Sequence, residues 1–336
     1  MKRQTIMIFP KSDFESDYVE DLKNNLSKKF RVIQPQDFLV LNLTLNQIIN
    51  KPNAMHFDWF NMYYSSKNSL LKTLIKFPLF MLDVFALKFF QKNIYISLHN
   101  IRPHDSKYKT IDYKAIKFFL DSAQSIRAFS DYSRTVISRF YKIKKEKINV
   151  FYESTYFSKL ESKENYIKSN NKNKKILIFG QIRPYKNIFE TLMKIKESII
   201  LNNIDIVILG NAYDKDYFET LNTKINKIFS GQVKIINRFV DKNSISSIFK
   251  EFDYVLNTSE KFYNSGVLSH CIPLGIPFIT KKSYGIEERM RNNINYTFIN
   301  IDNDFLNKVI EYKFDDLYHD DFPQTKDFIE SIYYEA

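Results

Sequence analysis

The chain has little cysteine and little glycine, and both shortages exclude classes of protein. A single cysteine, Cys271, excludes an internal disulfide framework and a zinc site built from cysteine pairs, and it suits a reducing compartment. All six glycines lie beyond residue 160 of the 336 residues. The 44% hydrophobic and 26% charged residues do not match a disordered or collagen-like chain. We therefore expect a folded protein, and its length indicates two domains at about 150 residues per domain.

Charge is distributed as unevenly as glycine. Residues 1–160 contain 26 Lys and Arg against 14 Asp and Glu, so they carry the whole net charge of +12, while the remaining residues balance 24 against 24. A basic excess favours an anionic partner, such as nucleic acid, phospholipid or a phosphorylated ligand. Because glycine lets backbone amides approach an anion closely, we expect phosphate binding in the second half. The first half is expected to face something larger and negative.

The alternation of apolar segments predicts a doubly wound α/β domain in each half. In the first half the sequence predicts a helix at 17–30 and strands at 5–9, 31–33, 54–57, 93–98, 125–129 and 148–151. In the second half it predicts strands at 176–179, 204–209, 233–236, 253–256 and 277–280, and helices at 187–200, 214–228 and 243–251 with another ending near residue 274.

Domain boundaries follow from a polar stretch between the two halves. Residues 158–175 have almost no apolar periodicity and are predicted to be a linker, which gives domains at 1–157 and 176–322. Helical spacing predicts a C-terminal helix within 323–336 that crosses back onto the first domain. The first strand begins at Thr5 with no secretory signal before it, so we expect a cytoplasmic protein.

Two loops of the second half have the composition of a diphosphate site. The first, GQIRPYKN at 180–187, places Gly180 between a strand and a helix and supplies Arg183 and Lys186. The second, NSGVLSHCIPLGIP at 264–277, has Ser265 and Gly266 at the start of a helix. The alternative interpretations are an ordinary strand-to-helix turn with solvated bases, and a capped core helix.

Histidine and carboxylate side chains follow two predicted strands of the first half. Because open α/β sheets bind ligands at the carboxyl ends of their strands, these side chains are expected to converge on one cleft, where a carboxylate or imidazole can act as a general base. The alternative for each is a capping Asp or a hydrogen-bonded core His. The residues are His56, Asp58, Trp59, His99, Arg102, His104 and Asp105.

Residues 70–90 form an apolar segment with two interpretations. Its four charged residues, Lys72, Lys76, Asp83 and Lys88, make crossing a bilayer costly, so a buried helix is one prediction. The other is a helix at the surface of an anionic membrane, which the basic first half and the run at 142–147 favour.

Three segments together, GQIRPYKN, LHNIRPHD at 98–105 and NSGVLSHCIPLGIP, resemble the GT-B nucleotide-sugar glycosyltransferases of the family-four type that assemble bacterial polysaccharides. The resemblance implies two Rossmann-like domains facing an interdomain cleft, with the acceptor bound by the first and the donor by the second. It implies no cofactor and no metal ion. It matches Arg183 and Lys186 to the family's basic pair for the donor diphosphate and Ser265–Gly266 to its donor-phosphate loop. We also expect Gly180 and Asn264 to contact the donor, and the acceptor to contact His56, Trp59, Arg102 and Asp105.

The chain departs from that family at one pair of positions. Retaining members usually carry two glutamates with seven residues between them, and the matching positions here are Phe262 and His270. Glu260 is then the alternative donor contact, and the chain looks more like the inverting, β-mannosyltransferase-like subgroup. The resemblance therefore implies a first-domain base, with Asp58 favoured and His99 and His104 as rivals.

The function implied is transfer of a hexose from a nucleotide diphosphate sugar to a hydroxyl of a lipid-linked saccharide, by a peripheral protein at the inner face of the membrane. Two alternatives share the fold: a sugar-nucleotide epimerase, which needs no acceptor, and a partner subunit without catalysis. A nucleic-acid-binding protein would explain the charge and the 16% aromatic residues, but the sequence has no RNP, helix-turn-helix or KH pattern. Nucleic acid is therefore not an expected partner.

Overall fold

The computed structural model of the chain describes residues 3–11, 17–66, 69–91, 93–103, 107–154, 174–229, 231–259, 265–281, 283–290, 296–298, 327 and 329. The chain divides into unit 1, Met1–Ser154 with Phe322–Ala336, and unit 2, Thr155–Asp321. The predicted linker lies outside the described residues up to residue 173. The predicted C-terminal helix also lies outside them, except for Asp327 and Ile329.

Unit 1 is a parallel sheet with helices between its strands. The strands are β1 (Thr5–Phe9), β2 (Arg31–Ile33), β3 (Ala54–Phe57), β4 (Ile94–Ser97), β5 (Ser125–Ala128) and β6 (Ile148–Val150). The helices are α1 (Asp17–Ser27), α2 (Asn42–Asn50), α3 (Asn61–Tyr64), α4 (Leu70–Phe90), α5 (Lys109–Ser122) and α6 (Asp131–Tyr141). The sheet order is β2-β1-β3-β4-β5-β6, and every pair is parallel.

Unit 2 repeats this arrangement. Its strands are β7 (Lys175–Phe179), β8 (Asp205–Gly210), β9 (Val233–Asn237), β10 (Tyr254–Asn257), β11 (Phe278–Thr280) and β12 (Tyr296–Phe298), in the order β12-β11-β10-β7-β8-β9. The helices are α7 (Ile188–Lys194), α8 (Lys196–Leu201), α9 (Lys215–Phe229), α10 (Lys242–Phe249), α11 (Gly266–Leu274) and α12 (Tyr284–Arg289). Two doubly wound α/β units confirm the predicted fold class.

Burial explains why these segments form parallel sheets. All residues of β3, β4 and β5 are buried, as expected when helices cover both faces of a sheet. In β7, Ile176 and Ile178 pack into one apolar cluster while Leu177 packs into another. The alternation places the two clusters on opposite faces of the unit 2 sheet, because side chains of a strand point alternately to each side.

One predicted helix is broken in the structure. The segment predicted as a single helix at 187–200 is divided at Ile195, whose N–H donates to the carbonyl of Leu192, only three residues back. Ile188, Leu192, Ile195 and Ile199 remain in one core cluster. The break therefore changes the backbone while keeping the apolar side chains in the core.

The apolar segment predicted at 70–90 is helix α4, and none of the described helices is long and apolar enough to cross a membrane. Its carboxylate, Asp83, is buried and accepts hydrogen bonds from the backbone N–H groups of Leu43 (2.8 Å) and Thr44 (2.9 Å). Those groups belong to the first turn of α2, which has no side-chain cap of its own. Asp83 thus joins α4 to α2.

The strand orders identify where ligands are expected. In unit 1 the chain reverses direction across the sheet between β1 and β3, and in unit 2 between β7 and β10. In open α/β sheets, the crevice at the carboxyl ends of the strands at such a reversal is the usual binding position. Ligand binding is therefore expected at the residues that follow β3, β7 and β10.

Candidate functional site

The glycine loop of unit 2 follows β7 directly. Gly180 has φ +99°, a left-handed conformation that favours glycine. A Cβ at this position would lie 3.0 Å from Lys186 Nζ and 4.0 Å from Val267 Cγ2. Val267 is the second residue of α11, so the loop after β7 and the N-terminus of α11 are adjacent. The structure therefore brings the two predicted donor segments together at the β7–β10 reversal.

A second glycine holds this loop against the next strand. The N–H of Gly180 donates to the carbonyl of Leu209 at 3.0 Å, and Ile182 donates to Asn211 at 3.0 Å. At Gly210 a Cβ would lie 1.9 Å from the carbonyl oxygen of Gly180, a distance that no side chain tolerates. Gly210 is thus required for the close approach of the two loops, a role that the sequence analysis did not identify.

Lys186 and Arg183 supply positive charge beside Gly180. The Lys186 Nζ donates to the carbonyl of Phe179 at 3.1 Å, and the Arg183 guanidinium lies over the ring of Tyr213 at 5.4 Å. Burial, followed by the charge of Arg183, lowers the pKa of Lys186 to about 8. An anion bound here would raise the pKa of Lys186 again, because it favours the protonated form.

Helix α11 begins as predicted for the second loop. Ser265 caps it, and its hydroxyl accepts a hydrogen bond from the N–H of Leu268 at 3.4 Å. Gly266 is the first helical residue, and all residues from Leu268 to Leu274 are buried. The segment is therefore a capped core helix whose N-terminal amides and positive dipole end lie next to Gly180.

Of the two positions at which the sequence departs from the glutamate pattern, the structure describes only His270. His270 is buried in α11, with its ring edge-on to Phe179 and Phe249 at centroid distances of 6.4 and 5.8 Å. An aromatic core environment thus surrounds the position where retaining enzymes carry glutamate. Glu260, Phe262 and Asn264 lie outside the described residues.

In unit 1, Asp58 follows β3 and is the centre of a buried polar cluster. Its Oδ1 atom accepts a hydrogen bond from the Tyr18 hydroxyl at 2.8 Å and lies 3.2 Å from His99 Nε2 and 3.4 Å from His56 Nε2. Ser97, at the end of β4, lies 3.1 Å from His56 Nε2. Within the described part of the chain, Asp58 Oδ2 is buried and has no hydrogen-bond partner. One carboxylate oxygen is thus engaged, and the other is buried without a protein partner among the described residues.

The charge state of this cluster follows from its contacts. Burial raises the pKa of Asp58, but His56 and His99 lower it more strongly, so the net pKa lies below its ordinary value. Burial and the charge of Asp58 raise the pKa of Tyr18 well above its ordinary value. Asp58 is therefore an ionised carboxylate at neutral pH, and Tyr18 remains a protonated donor to it.

A small cavity opens at Asp58. Its volume is about 60 Å³, room for about four water molecules, and its walls combine apolar surface with a few polar groups. The Trp59 ring, 37% exposed, stacks on His99 at 4.5 Å. Such a mixture is typical of a site that binds a small polar group beside an aromatic surface. The lining residues are Asp58, Trp59, Phe60, Asn61, Tyr64, Leu98, His99, Asn100, Pro103 and Ile116.

The other site residues predicted in unit 1 that the structure describes, His56 and Arg102, do not line this cavity. His56 is fully buried and is not among the lining residues. The Arg102 guanidinium lies over the ring of Phe140 at 4.7 Å. His104 and Asp105 lie outside the described residues. Sequence reasoning missed Tyr18, which comes from α1, 40 residues before Asp58, and carries no local signal.

A metal site needs several His, Cys, Asp or Glu side chains close together. Over the residues that the structure describes, no group of three or more His, Cys, Asp or Glu side chains could hold a metal ion.

The sequence matches no protein-family model and no curated protein. Among solved structures, the chain is similar to HepE from Anabaena in complex with UDP and glucose, at 15% identity and TM-score 0.66 over 92% of this chain and 90% of that one. It is also similar to an α,α-trehalose-phosphate synthase (UDP-forming) from Burkholderia vietnamiensis, at 10% identity and TM-score 0.65 over 93% and 91%. A third similar structure is the UDP-GlcNAc 2-epimerase from Methanocaldococcus jannaschii, at 12% identity and TM-score 0.57 over 100% of both chains. The chain therefore has the GT-B fold that these proteins share.

Proposed function

We propose that the protein is a glycosyltransferase that moves a hexose from a nucleotide diphosphate sugar to a hydroxyl of a lipid-linked saccharide. The observation that carries the proposal is the meeting of the Gly180–Lys186 loop with the N-terminus of α11 at the β7–β10 reversal. Glycine, two bases and a helix N-terminus form a site suited to a diphosphate. Structural neighbours crystallised with UDP or UDP-glucose support the same class of donor.

Unit 2 is proposed to bind the donor and stabilise the leaving group. When the bond between the sugar C1 and the diphosphate oxygen breaks, its electron pair goes to the diphosphate. That negative charge would be stabilised by Lys186, Arg183 and the amides at the start of α11. Electrostatic stabilisation of this kind is usually the largest single contribution to catalysis. No metal ion is needed for this step in the proposal, because the bases provide the positive charge.

Unit 1 is proposed to supply the general base. The acceptor hydroxyl would enter the cavity and donate to Asp58 Oδ2, the oxygen left without a protein partner among the described residues. As the hydroxyl oxygen bonds to C1, its proton passes to Asp58, and attack opposite the departing diphosphate inverts the sugar configuration. Trp59 would offer a face for the acceptor sugar, and His99 would hold the carboxylate.

The test is acceptor-dependent release of nucleoside diphosphate from UDP-glucose in the presence of a bacterial lipid extract. Asp58→Asn preserves the shape of the side chain but removes the base, so we expect a loss of about 10²–10⁴-fold in kcat. Asp83→Asn is the matched control, since both carboxylates are 4% exposed and lie in unit 1. The control should lose stability but keep its turnover. Full turnover in Asp58→Asn would place the base elsewhere.

An epimerase is the second candidate, because the epimerase neighbour matches both chains over their full length. It requires the sugar to change configuration at one carbon without any acceptor. Incubating the protein with UDP-GlcNAc alone and following the sugar by proton NMR separates the two functions. A transferase leaves the sugar configuration unchanged, whereas accumulation of the epimer would favour the second candidate.

A further inference from the structure

Helix α4 carries an apolar stripe on its exposed side. Residues 71, 74, 75, 78, 82, 85 and 89 recur at the three- and four-residue spacing that places side chains on one face of a helix. All seven are exposed, and the six large ones other than Pro78 are each more than half exposed. The stripe consists of Leu71, Leu74, Ile75, Pro78, Leu82, Phe85 and Phe89.

The opposite face of α4 packs against the rest of unit 1. Thr73, Phe80, Val84 and Leu87 are buried, and Phe80 packs against Phe119 of α5 with ring centroids 5.5 Å apart. Packing therefore buries one face of α4, and the stripe is a second apolar face that is exposed in the structure. Exposed apolar surface of this extent marks an interaction site.

The neighbouring helix extends the exposed apolar surface. Helix α2 packs on α4, and its residues Ile48 and Ile49 are about half exposed. The loop before it contributes Leu39, which is fully exposed, and Val40. Apolar side chains on two helices and a loop exceed the scattered single exposures that are normal on a protein surface.

Exposed lysines outnumber exposed carboxylates beside this surface, where Asp37 is the exposed acid of the loop before α2. Lys72, Lys76 and Lys88 of α4 are exposed, whereas Asp83, the only carboxylate of that helix, is buried. Helix α2 has no charged residue, and the exposed Lys51 follows it. An apolar face with flanking lysines complements a bilayer, where the acyl region receives the apolar groups and anionic headgroups attract the lysines.

We infer that the α2–α4 surface docks unit 1 onto the face of an anionic lipid bilayer. This inference extends the proposed function, because a lipid-linked acceptor would then reach the protein from the same bilayer. The stripe would enter the interface between headgroups and acyl chains while α4 lies parallel to the membrane. Lys72 and Lys88 would reach the phosphate groups, so binding requires both apolar contact and negative charge.

The experiment is co-sedimentation of the full-length protein with phosphatidylcholine vesicles that contain phosphatidylglycerol, compared with phosphatidylcholine alone. Wild-type protein should bind the anionic vesicles, and the double variant Leu71→Ser/Phe89→Ser should lose at least about tenfold in binding. Lys72→Gln/Lys88→Gln should weaken binding and reduce its salt dependence.

A matched control is available in unit 2. Leu201 and Phe239 are 82% and 73% exposed, close to the 70% and 73% of Leu71 and Phe89. Leu201→Ser/Phe239→Ser should therefore bind vesicles as the wild type does. Equal binding by both double variants, or no binding by the wild type, would overturn the inference. So would loss of a dimer in Leu71→Ser/Phe89→Ser by light scattering, which would assign the surface to a second copy.

The melting temperature with and without UDP is measured on the same samples. A protein that responds to UDP but ignores vesicles contradicts the docking surface alone. A protein that binds vesicles but responds to no nucleotide contradicts the proposed donor site alone. Both proposals can therefore fail separately.

Discussion

Asp58 and Lys186, the ionisable residues of the two candidate sites, have environments that suit different chemical tasks. Asp58 is kept ionised by His56 and His99 despite its burial, while burial and Arg183 bring the pKa of Lys186 down to about 8. A carboxylate held in the charged form can accept a proton from a hydroxyl. A lysine whose charge is disfavoured in the free protein gains interaction energy when an anion arrives.

The Lys186 environment predicts a pH dependence of donor binding. Only the protonated lysine attracts a diphosphate, so the affinity for UDP-glucose should fall as the pH rises through about 8, with a loss of about tenfold between pH 7 and 9. Calorimetric titration measures the change. Lys186→Arg stays charged over this range and should show a flat profile. A flat profile in the wild type would exclude Lys186 from the donor site.

The hydrogen bond from Tyr18 predicts a positioning role. Tyr18→Phe removes the donor to Asp58 Oδ1 and should reduce kcat while leaving KM for the donor unchanged, because Asp58 loses one of its fixed contacts. The expected stability cost is about 1 kcal/mol, measured by urea unfolding. A purely structural Tyr18 would show the stability loss with an unchanged kcat and pH profile.

At the residue scale, sequence prediction fails for residues whose partners lie far away along the chain. Asp58 and His99 could be predicted because each follows a strand, and strand ends of a parallel sheet meet at one edge. Tyr18 could not, because its place beside Asp58 depends on how α1 packs. Gly210 could not either, since its requirement arises from a backbone contact with Gly180, 30 residues earlier.

At the scale of elements, the proposed donor site depends on two backbone segments that only glycines permit. The loop after β7 approaches β8 so closely that the Gly180 carbonyl occupies the space where a side chain on Gly210 would lie. This contact fixes the loop that carries Arg183 and Lys186. The geometry of the site is thus a property of the β7–β8 pair.

Gly210→Ala tests that dependence. The added methyl must displace the Gly180 backbone, so we expect a stability loss of about 1–3 kcal/mol or more and a loss of UDP binding. Thermal unfolding and calorimetric titration measure the two effects. Gly231→Ala is the control, because Gly231 has a positive φ, but no atom lies within 4 Å of the position an added Cβ would occupy. It should lose stability while keeping UDP binding. Intact UDP binding in folded Gly210→Ala would contradict the role of the loop.

The elements themselves were predicted unequally. The predicted strands match β1 to β11 within one or two residues, because buried parallel strands are short apolar runs with clear boundaries, whereas β12 was not predicted. Helix α2 was not predicted, since Asp83 of α4 supplies its N-terminal hydrogen bonds from about 40 residues away. For α4 the composition left open whether the segment is buried or exposed, and the structure shows one face of each kind.

At the scale of the whole molecule, charge and glycine divide between the two halves of the sequence. The net charge of +12 belongs to residues 1–160, and all six glycines lie beyond them. In unit 1 the lysines flank an exposed apolar surface, whereas in unit 2 the glycines shape a loop next to a helix N-terminus. The uneven composition therefore corresponds to two proposed tasks, acceptor and membrane contact in unit 1 and donor binding in unit 2.

The central claim is that unit 2 binds a nucleotide diphosphate sugar independently of the base in unit 1. The most direct measurement is the melting temperature of the wild type, Asp58→Asn and Lys186→Gln with UDP-, GDP- and ADP-sugars. A ligand at about 100 times its Kd should raise the melting temperature of the wild type and of Asp58→Asn equally, by about 5 °C or more, and that of Lys186→Gln much less. No shift with any nucleotide sugar, or an equal shift in Lys186→Gln, would contradict the account.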